Sequence, residues 1–404
     1  MTTTQHIDIR DKAAIVGIGE TAYMRGADRP SAEAMLEATR AAIADSGLKP
    51  QDIDGIVLPP VMITAEEVAA NLGIRDIRYA VGINMGGASP VTSLQSAALA
   101  IAAGIAKNVV VMVGWNGFSA LRPKPGVKHR EVISIPALER TLTNYYAPYG
   151  AASPVQMYAW IAMRHRHTYG ISEHATAAVA MACRRHAQHN ERALTRGQPM
   201  DLEAYLKSRM ISEPFRLFDC CLETDGACAV VVSAADRARD LKHRPVYIMA
   251  AAEGHPYPAD DIANRPDMFH IGLNNSAPKA FAMAGIKPSD VDVLQPYDSF
   301  TITVLMALED LGFCKKGEGG RFVADGNLIS GVGTLPFNTD GGGLCNNHPA
   351  NRGGITKVIE AVRQLRGEAH PKVQVPDCTL ALAQGTGGLL GSRHGSATLI
   401  MERQ

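Results

Sequence analysis

The chain has 404 residues, enough for two or three average domains or for one large α/β assembly with a well-buried core. Forty basic residues balance forty acidic ones and no basic run is long enough to track a phosphate backbone, which argues against nucleic acid as a partner. The opening residues, MTTTQHIDIRDKAAIVGIG, lack a basic n-region and a continuous apolar h-region. No apolar run approaches the roughly 18 residues of a spanning helix, so the expectation is a cytoplasmic protein that does not enter a membrane.

In chain order, residues 13–19 (AAIVGIG) read as a short buried strand and residues 32–47 (AEAMLEATRAAIADSG) as a helix closed by glycine. Residues 55–60 (GIVLPP) read as a second strand stopped by proline. The stretch INMGGASP, 83–90, sets Gly86 and Gly87 at the mouth of an apolar helix that ends at Gly104, and NVVVMVG, 108–114, follows as a strand. Residues 115–215 break this grammar and read as an inserted loop domain. It holds the basic RPKPGVKHR (122–130), the aromatic NYYAPYG (144–150) and a helix at 154–170. Two readings of it stand side by side: a helical cover over a sheet edge, or a lid that supplies basic residues to a phosphorylated carrier. His165 and His167, two residues apart, do not share a helix face, so no metal is assigned. The seven cysteines show neither a disulfide framework nor paired CxxC knuckles. Within RLFDCCLETDGACAVVVSA, 216–234, Asp219 and Asp225 read as turn-fixing acids.

The grammar then returns. GLKPQDIDGIVLP at 47–59 and GIKPSDVDVLQPY at 285–297 match at Gly, Lys, Pro, Asp and Asp with a constant offset, each after an alanine-rich helix. Each copy is followed by a glycine-bearing loop, a helix ending in glycine (Gly104; Gly367) and a β run (108–114; 379–385). The expectation is two related α/β halves, 1–240 and 241–404, with the loop domain inside the first. The repeat places Tyr297-Asp298-Ser299-Phe300 at the C-terminal end of a strand, where α/β proteins put their sites. Asp298, next to Tyr297, is expected on the opposite face in a structural role. His348 lies in a loop of glycines and asparagines expected to bury little. With ordinary pKa values near 10 and 6.5, Tyr297 and His348 form a candidate proton-transfer couple.

Seven segments, in this order, carry a resemblance: AAIVGIGET, GLKPQDIDG, the Gly86-Gly87 elbow, RLFDCCLETDGACAVVVS, YDSFT, NTDGGGLCNNHP and QGTGGLLG. Together the chain resembles the thiolase superfamily, in particular the sterol-carrier-protein-2-type thiolases and the related lipid-transfer proteins. The resemblance implies two βαβ-type halves in a five-layer α-β-α-β-α sandwich, a homodimer, and acyl-CoA thioesters as substrates. No cofactor is implied beyond coenzyme A as part of the substrate. Thiolases carry a nucleophilic cysteine at a helix N-terminus; here that position falls on Gly87, and an acid/base position falls on Leu382. Typical members have histidine where Tyr297 stands, whereas the GHP histidine is retained as His348 in Asn347-His348-Pro349.

The resemblance therefore implies the thiolase-like aldolases of steroid side-chain degradation, which also lack the nucleophile and carry a YD-F motif. A retro-aldol cleavage of a β-hydroxyacyl-CoA needs no acyl-enzyme. Tyr297 and His348 are the expected catalytic residues. Gly86, Gly87, Asn347, Gly387 and Gly388 are expected to bind substrate or hold the thioester oxygen. The steroid aldolases place a second tyrosine where this chain keeps histidine. Two alternatives remain from the sequence: a non-catalytic subunit of a complex with a DUF35-type OB-fold protein, and an acyltransferase with a displaced nucleophile. The apolar strand 108–114 is the expected sheet edge for dimerisation.

Overall fold

In the computed structural model, residues 8–122, 142–151, 153–255, 262–349, 353–387 and 395–404 are described. The basic segment read as a carrier-binding lid thus falls, apart from Arg122, outside the described residues. The first half runs β1 (Ala13–Glu20), α1 (Ser31–Ser46), β2 (Gly55–Leu58), α2 (Ala65–Leu72), β3 (Tyr79–Gly82), α3 (Ser89–Ala102), β4 (Asn108–Asn116) and, after the insertion, β5 (Asp225–Ala234). The second runs β6 (Val246–Gly254), α6 (Leu273–Ala284), β7 (Val293–Pro296), α7 (Thr301–Asp310), α8 (Gly354–Arg366), β8 (Leu380–Gly387) and β9 (Gly395–Arg403). The insertion contributes α4 (Pro154–Tyr169) and α5 (Glu173–Ala187).

The sheet order is β3-β2-β4-β5-β1-β6-β9-β8-β7. β2 is parallel to β3 and β4, and β5 is antiparallel to β4 and β1. β7 is parallel to β8 and to a bridge at Phe337, and β9 is antiparallel to β8 and β6. Strand for strand the second half repeats the first, its third strand reduced to that bridge. The halves meet where β1 touches β6, at Ala14–Tyr247 and Ile15–Val246. We propose that the division between them falls in the 235–245 link.

The repeated sequence motif has a local cause in both copies. Gly47 and Gly285 end α1 and α6 in the left-handed conformation, φ +78° and +68°. Asp52 and Asp290 each accept the main-chain N–H of their own lysine, Lys49 or Lys287, at 2.8 Å. Asp54 accepts the N–H groups of Lys107 and Asn108 at the start of β4, and Asp292 those of Thr379 and Leu380 at the start of β8. One carboxylate thereby sets where the fourth strand of each half enters the sheet.

Alternation along the strands separates the layers. In β4, Val109, Val111 and Val113 face α3 and α8, while Val110 and Met112 face α1. α3 and α8 form one shared central layer between the two sheet halves, packed through Leu94, Ala98, Val358 and Val362. α1 and α2 cover the outer face of the first half, and α6, α7 and the insertion cover that of the second. This is the five-layer α-β-α-β-α arrangement that the resemblance implies. The insertion is thus a helical cover: Met157, Ile161, Val179 and Cys183 pack on Phe300, Leu305 and Leu344.

The dimerisation edge needs correction. β4 lies inside the sheet between β2 and β5, because β5 returns to it antiparallel from the far side of the insertion. The strand that ends the first half's sheet is β3. Among the described residues no helix is long and apolar enough to cross a membrane.

Candidate active site

Two loops and one strand end converge where the N-termini of α3 and α8 meet. β7 stops at Pro296, and the next residue, Tyr297, leaves the ladder with its N–H donated to the Gln384 side chain on β8 at 3.2 Å. The Thr303 hydroxyl donates to the carbonyls of Tyr297 (3.1 Å) and Phe300 (2.7 Å), closing the turn into α7.

The 338–349 loop is buried throughout, against the expectation that glycines and asparagines would leave it open. Carboxylates and a threonine take up several of its main-chain N–H groups, which lets it sit beneath the insertion. Asp298 accepts the N–H groups of Gly343 (2.8 Å) and Leu344 (3.1 Å). Asp340 accepts Gly342 N–H at 2.8 Å and the Asn346 amide at 2.7 Å. His348 N–H donates to Thr224 Oγ1 at 3.1 Å, and Thr224 N–H donates back to the His348 carbonyl at 3.2 Å.

This framing brings His348 Nε2 to 2.6 Å from the Tyr297 hydroxyl, both side chains being buried. Burial, and then the nearby Lys357 ammonium, pull the His348 pKa down to about 3. The imidazole is therefore neutral, and in its Nδ1–H tautomer Nε2 accepts from the Tyr297 hydroxyl. The two residues singled out in the sequence form one dyad.

Gly87 faces the same dyad. A methyl group on it would lie 2.5 Å from Tyr297 Cε1 and Cζ and 2.4 Å from the Thr386 carbonyl oxygen. The tyrosine ring thus occupies the space a side chain at position 87 would need. Glycine and tyrosine go together here, and a cysteine at 87 is sterically incompatible with this placement of Tyr297. Gly387 and Gly354 press on the same peptide: a Cβ on Gly387 would come 2.3 Å from Gly87 N, and one on Gly354 2.6 Å from Gly87 O. Gly86 adopts φ +59° and, with Gly87 and Ala88, forms a buried single turn leading into α3. Ser89 Oγ accepts Met85 N–H at 2.7 Å to fix it. Gly388 lies outside the described residues.

Asn347, adjacent to His348, is fully buried, and among the described residues neither its Oδ1 nor its Nδ2 has a hydrogen-bond partner. Such a group is costly to keep unless it serves a ligand. Leu382 is a core residue of β8. Asp219 accepts Tyr205 Oη (2.6 Å), Thr301 Oγ1 (2.7 Å) and Arg216 N–H (2.8 Å). Asp225 accepts the N–H groups of Gly26, Ala27 and Ser119. Both acids fix turns, as read from the sequence.

No thiol is activated. Burial, the largest cause in every case, raises the pKa of all seven cysteines, with Cys220, Cys314 and Cys378 pushed up to about 12. A displaced cysteine nucleophile finds no support in these environments.

One element escaped the sequence reading. Lys357, on α8, is buried and pairs with Asp298 Oδ1 at 2.9 Å. Lys357, Glu360 and Gln364 recur at helical spacing and look like a solvated stripe, yet all three are buried. The sequence signal that was available is their position on the helix that follows the histidine loop.

Residues 13–198 match the family described as "Thiolase, N-terminal domain", and residues 254–403 that described as "Thiolase C-terminal domain-like". The chain is 38% identical over 364 residues to a steroid side-chain-cleaving aldolase of Thermomonospora curvata, covering 88% of this chain and 90% of that one. It is 38% identical over 385 residues to the 17-hydroxy-3-oxo-4-pregnene-20-carboxyl-CoA lyase of Mycobacterium tuberculosis, covering 93% and 97%. The solved structure of an Ltp2-ChsH2(DUF35) aldolase superposes with a TM-score of 0.88 at 35% identity, covering 98% of each chain.

Proposed function

The chain belongs to the thiolase superfamily, in its sterol-carrier-protein-2-like branch, and from that premise we propose that it is a carbon–carbon lyase that cleaves a β-hydroxyacyl-CoA by retro-aldol chemistry. The observation that carries this reading is the pairing of Gly87 with Tyr297: the volume of a thiolase nucleophile is filled by a phenol hydrogen-bonded to a neutral histidine.

The proton inventory closes on the dyad. The substrate β-hydroxyl gives its proton to the Tyr297 oxygen as Tyr297 passes its own to His348 Nε2. The Cα–Cβ bond breaks, the β-carbon leaves as a ketone or aldehyde, and the electron pair moves into the thioester enolate. The resting site disfavours an imidazolium, but the negative charge developing on the thioester oxygen favours one at the moment it forms. The enolate carbon then takes the proton back through Tyr297, giving the shortened acyl-CoA and restoring the neutral dyad. Main-chain N–H groups around Gly87 and Gly387, with the Asn347 amide, are suited to hold the enolate oxygen. Gly86 shapes that turn, and Gly388 continues the same loop.

A steroid side chain is the acyl group the named relatives suggest. A DUF35-type OB-fold partner is proposed by analogy with the related Ltp2-ChsH2(DUF35) aldolase, and a homodimer through the β3 edge on its exposed, alternating strand. The test is to incubate the chain, alone and co-expressed with such a partner, with a β-hydroxyacyl-CoA and to follow products by mass spectrometry. Ketone and shortened acyl-CoA should appear in equal amounts, with no mass added to the protein. A stoichiometric acyl adduct would favour the acyltransferase alternative. No cleavage with the partner present would favour the non-catalytic subunit.

A further inference from the structure

We propose that the buried Asp298–Lys357 ion pair is a positioning device for the Tyr297–His348 dyad, tying the strand end that carries the tyrosine to the loop that carries the histidine; this rests on the dyad reading above. Asp298 is the residue after Tyr297, so holding its carboxylate holds the strand end from which the phenol projects. That carboxylate grips the histidine loop through Gly343 N–H and Leu344 N–H, and α8 through Lys357 Nζ at 2.9 Å. The packing leaves no slack: a Cβ on Gly343 would lie 3.1 Å from Asp298 Oδ1 and 3.2 Å from His348 Cδ2, and one on Gly353, just before α8, 2.8 Å from His348 Cδ2. Strand end, loop and helix start thus form one block around the imidazole.

The charges act in the same direction as the geometry. Tyr297 contacts His348, Asp298 lies across Gly343 from it, and Lys357 on α8 acts on it by charge, while Asp340 on the loop and Cys183 on α5 act on the Asp298–Lys357 pair. Cys183 Sγ reaches Asp298 Oδ2 at 3.6 Å, while Arg184 Nε is spent on Cys345 Sγ at 3.3 Å. Burial alone would pull the Lys357 ammonium down, but Asp298 and then Asp340 hold its pKa above the ordinary value. Lys357 therefore stays charged, and its charge opposes protonation of His348. A purely structural ion pair would hold the loop without setting the state of the imidazole.

The test is Lys357→Gln, together with the neutral pair Asp298→Asn/Lys357→Gln, which keeps shape without leaving a lone buried carboxylate. Histidine-selective NMR titration follows His348 directly, with assignment from His348→Gln. In the wild type His348 should titrate far below 6.5. In Lys357→Gln its midpoint should rise by about one pH unit or more, the usual effect of removing a nearby like charge, and in the neutral pair, which also removes the opposite charge of Asp298, it should rise less. Turnover on a β-hydroxyacyl-CoA should fall about tenfold or more, with a displaced acid limb and little change in KM. A wild-type His348 titrating near 6.5, or a folded Lys357→Gln variant in which its midpoint and the acid limb stay put, would overturn the proposal. Because the titration needs no substrate, an inactive wild type would count against the lyase reading and leave this inference to be decided by the imidazole alone.

Discussion

The two halves share one strand order and one set of turn-fixing aspartates, yet their contributions to the site are opposite in kind. In the first half, the position matching Tyr297 is Pro59, and the loop before its central helix ends in Gly86-Gly87. In the second, the same two places carry Tyr297 and His348, braced by Asp298 and Lys357. The first half supplies main chain and empty volume, the second side chains and charge. A thiolase-type site would draw its nucleophile from the elbow of the first half. Here the Tyr297 ring fills that volume, and in the proposed reaction the proton chemistry moves across the pseudo-symmetric boundary.

If that division is right, substitutions in the second half should cost the most. Tyr297→Phe and His348→Ala should each lower turnover by about 10²–10⁴-fold, the usual loss of a general acid or base, with smaller changes in CoA-ester affinity. Steady-state kinetics on purified variants checks this. Gly87→Ala tests the empty volume from the other side. Its methyl would strike Tyr297 and the Thr386 carbonyl, so turnover should drop by about 10²-fold through misplacement of the phenol and stability by about 1–3 kcal/mol. A variant with normal kinetics and an unchanged unfolding midpoint would mean that the ring and residue 87 do not compete for space.

Smaller effects discriminate more finely. Asn347→Leu replaces an unpartnered buried amide by an apolar group of similar size, so stability should hold or rise by about 1 kcal/mol while turnover falls. Lower stability with unchanged turnover would make Asn347 a structural residue. For His348, the folded pKa of about 3 lies below the ordinary 6.5. Between those values the unfolded chain binds the extra proton, so this group's stabilising contribution is present above pH 6.5 and is lost as pH falls toward 3. The difference in unfolding free energy between wild type and His348→Gln should therefore shrink on acidification across that window. Smallest of all, Pro59→Ala, at the place matching Tyr297, should change turnover by less than about threefold.

Much of this was legible in the sequence. The offset between 47–59 and 285–297 pointed to the repeat because Gly47, Asp52, Asp54 and their counterparts each perform a local main-chain task that any copy must repeat. Tyr297 stood out because the repeat sets it at a strand's C-terminal end, and both Tyr297 and His348 because they fall in the YDSFT and NTDGGGLCNNHP segments that carry the resemblance. What was not legible depends on tertiary burial. The polar 338–349 loop reads as solvent-facing, and nothing local says that Asp298 and Asp340 will satisfy its N–H groups inside. Lys357 sits on what reads as the wet face of a helix, and only the central layer between the two sheet halves makes that face dry. The strand 108–114 reads as an edge because its partner β5 lies beyond the insertion.

In the proposed reaction Tyr297 and His348 act as one proton-transfer unit without a covalent intermediate. The most direct measurement is the single-turnover cleavage rate of a β-hydroxyacyl-CoA by wild type, Tyr297→Phe, His348→Ala and the double variant, each shown to be folded. The account predicts that the double variant is slower than the more impaired single variant by no more than a few-fold, as for residues that act as a unit. Near-normal cleavage by both single variants, or losses that multiply in the double variant, would contradict it.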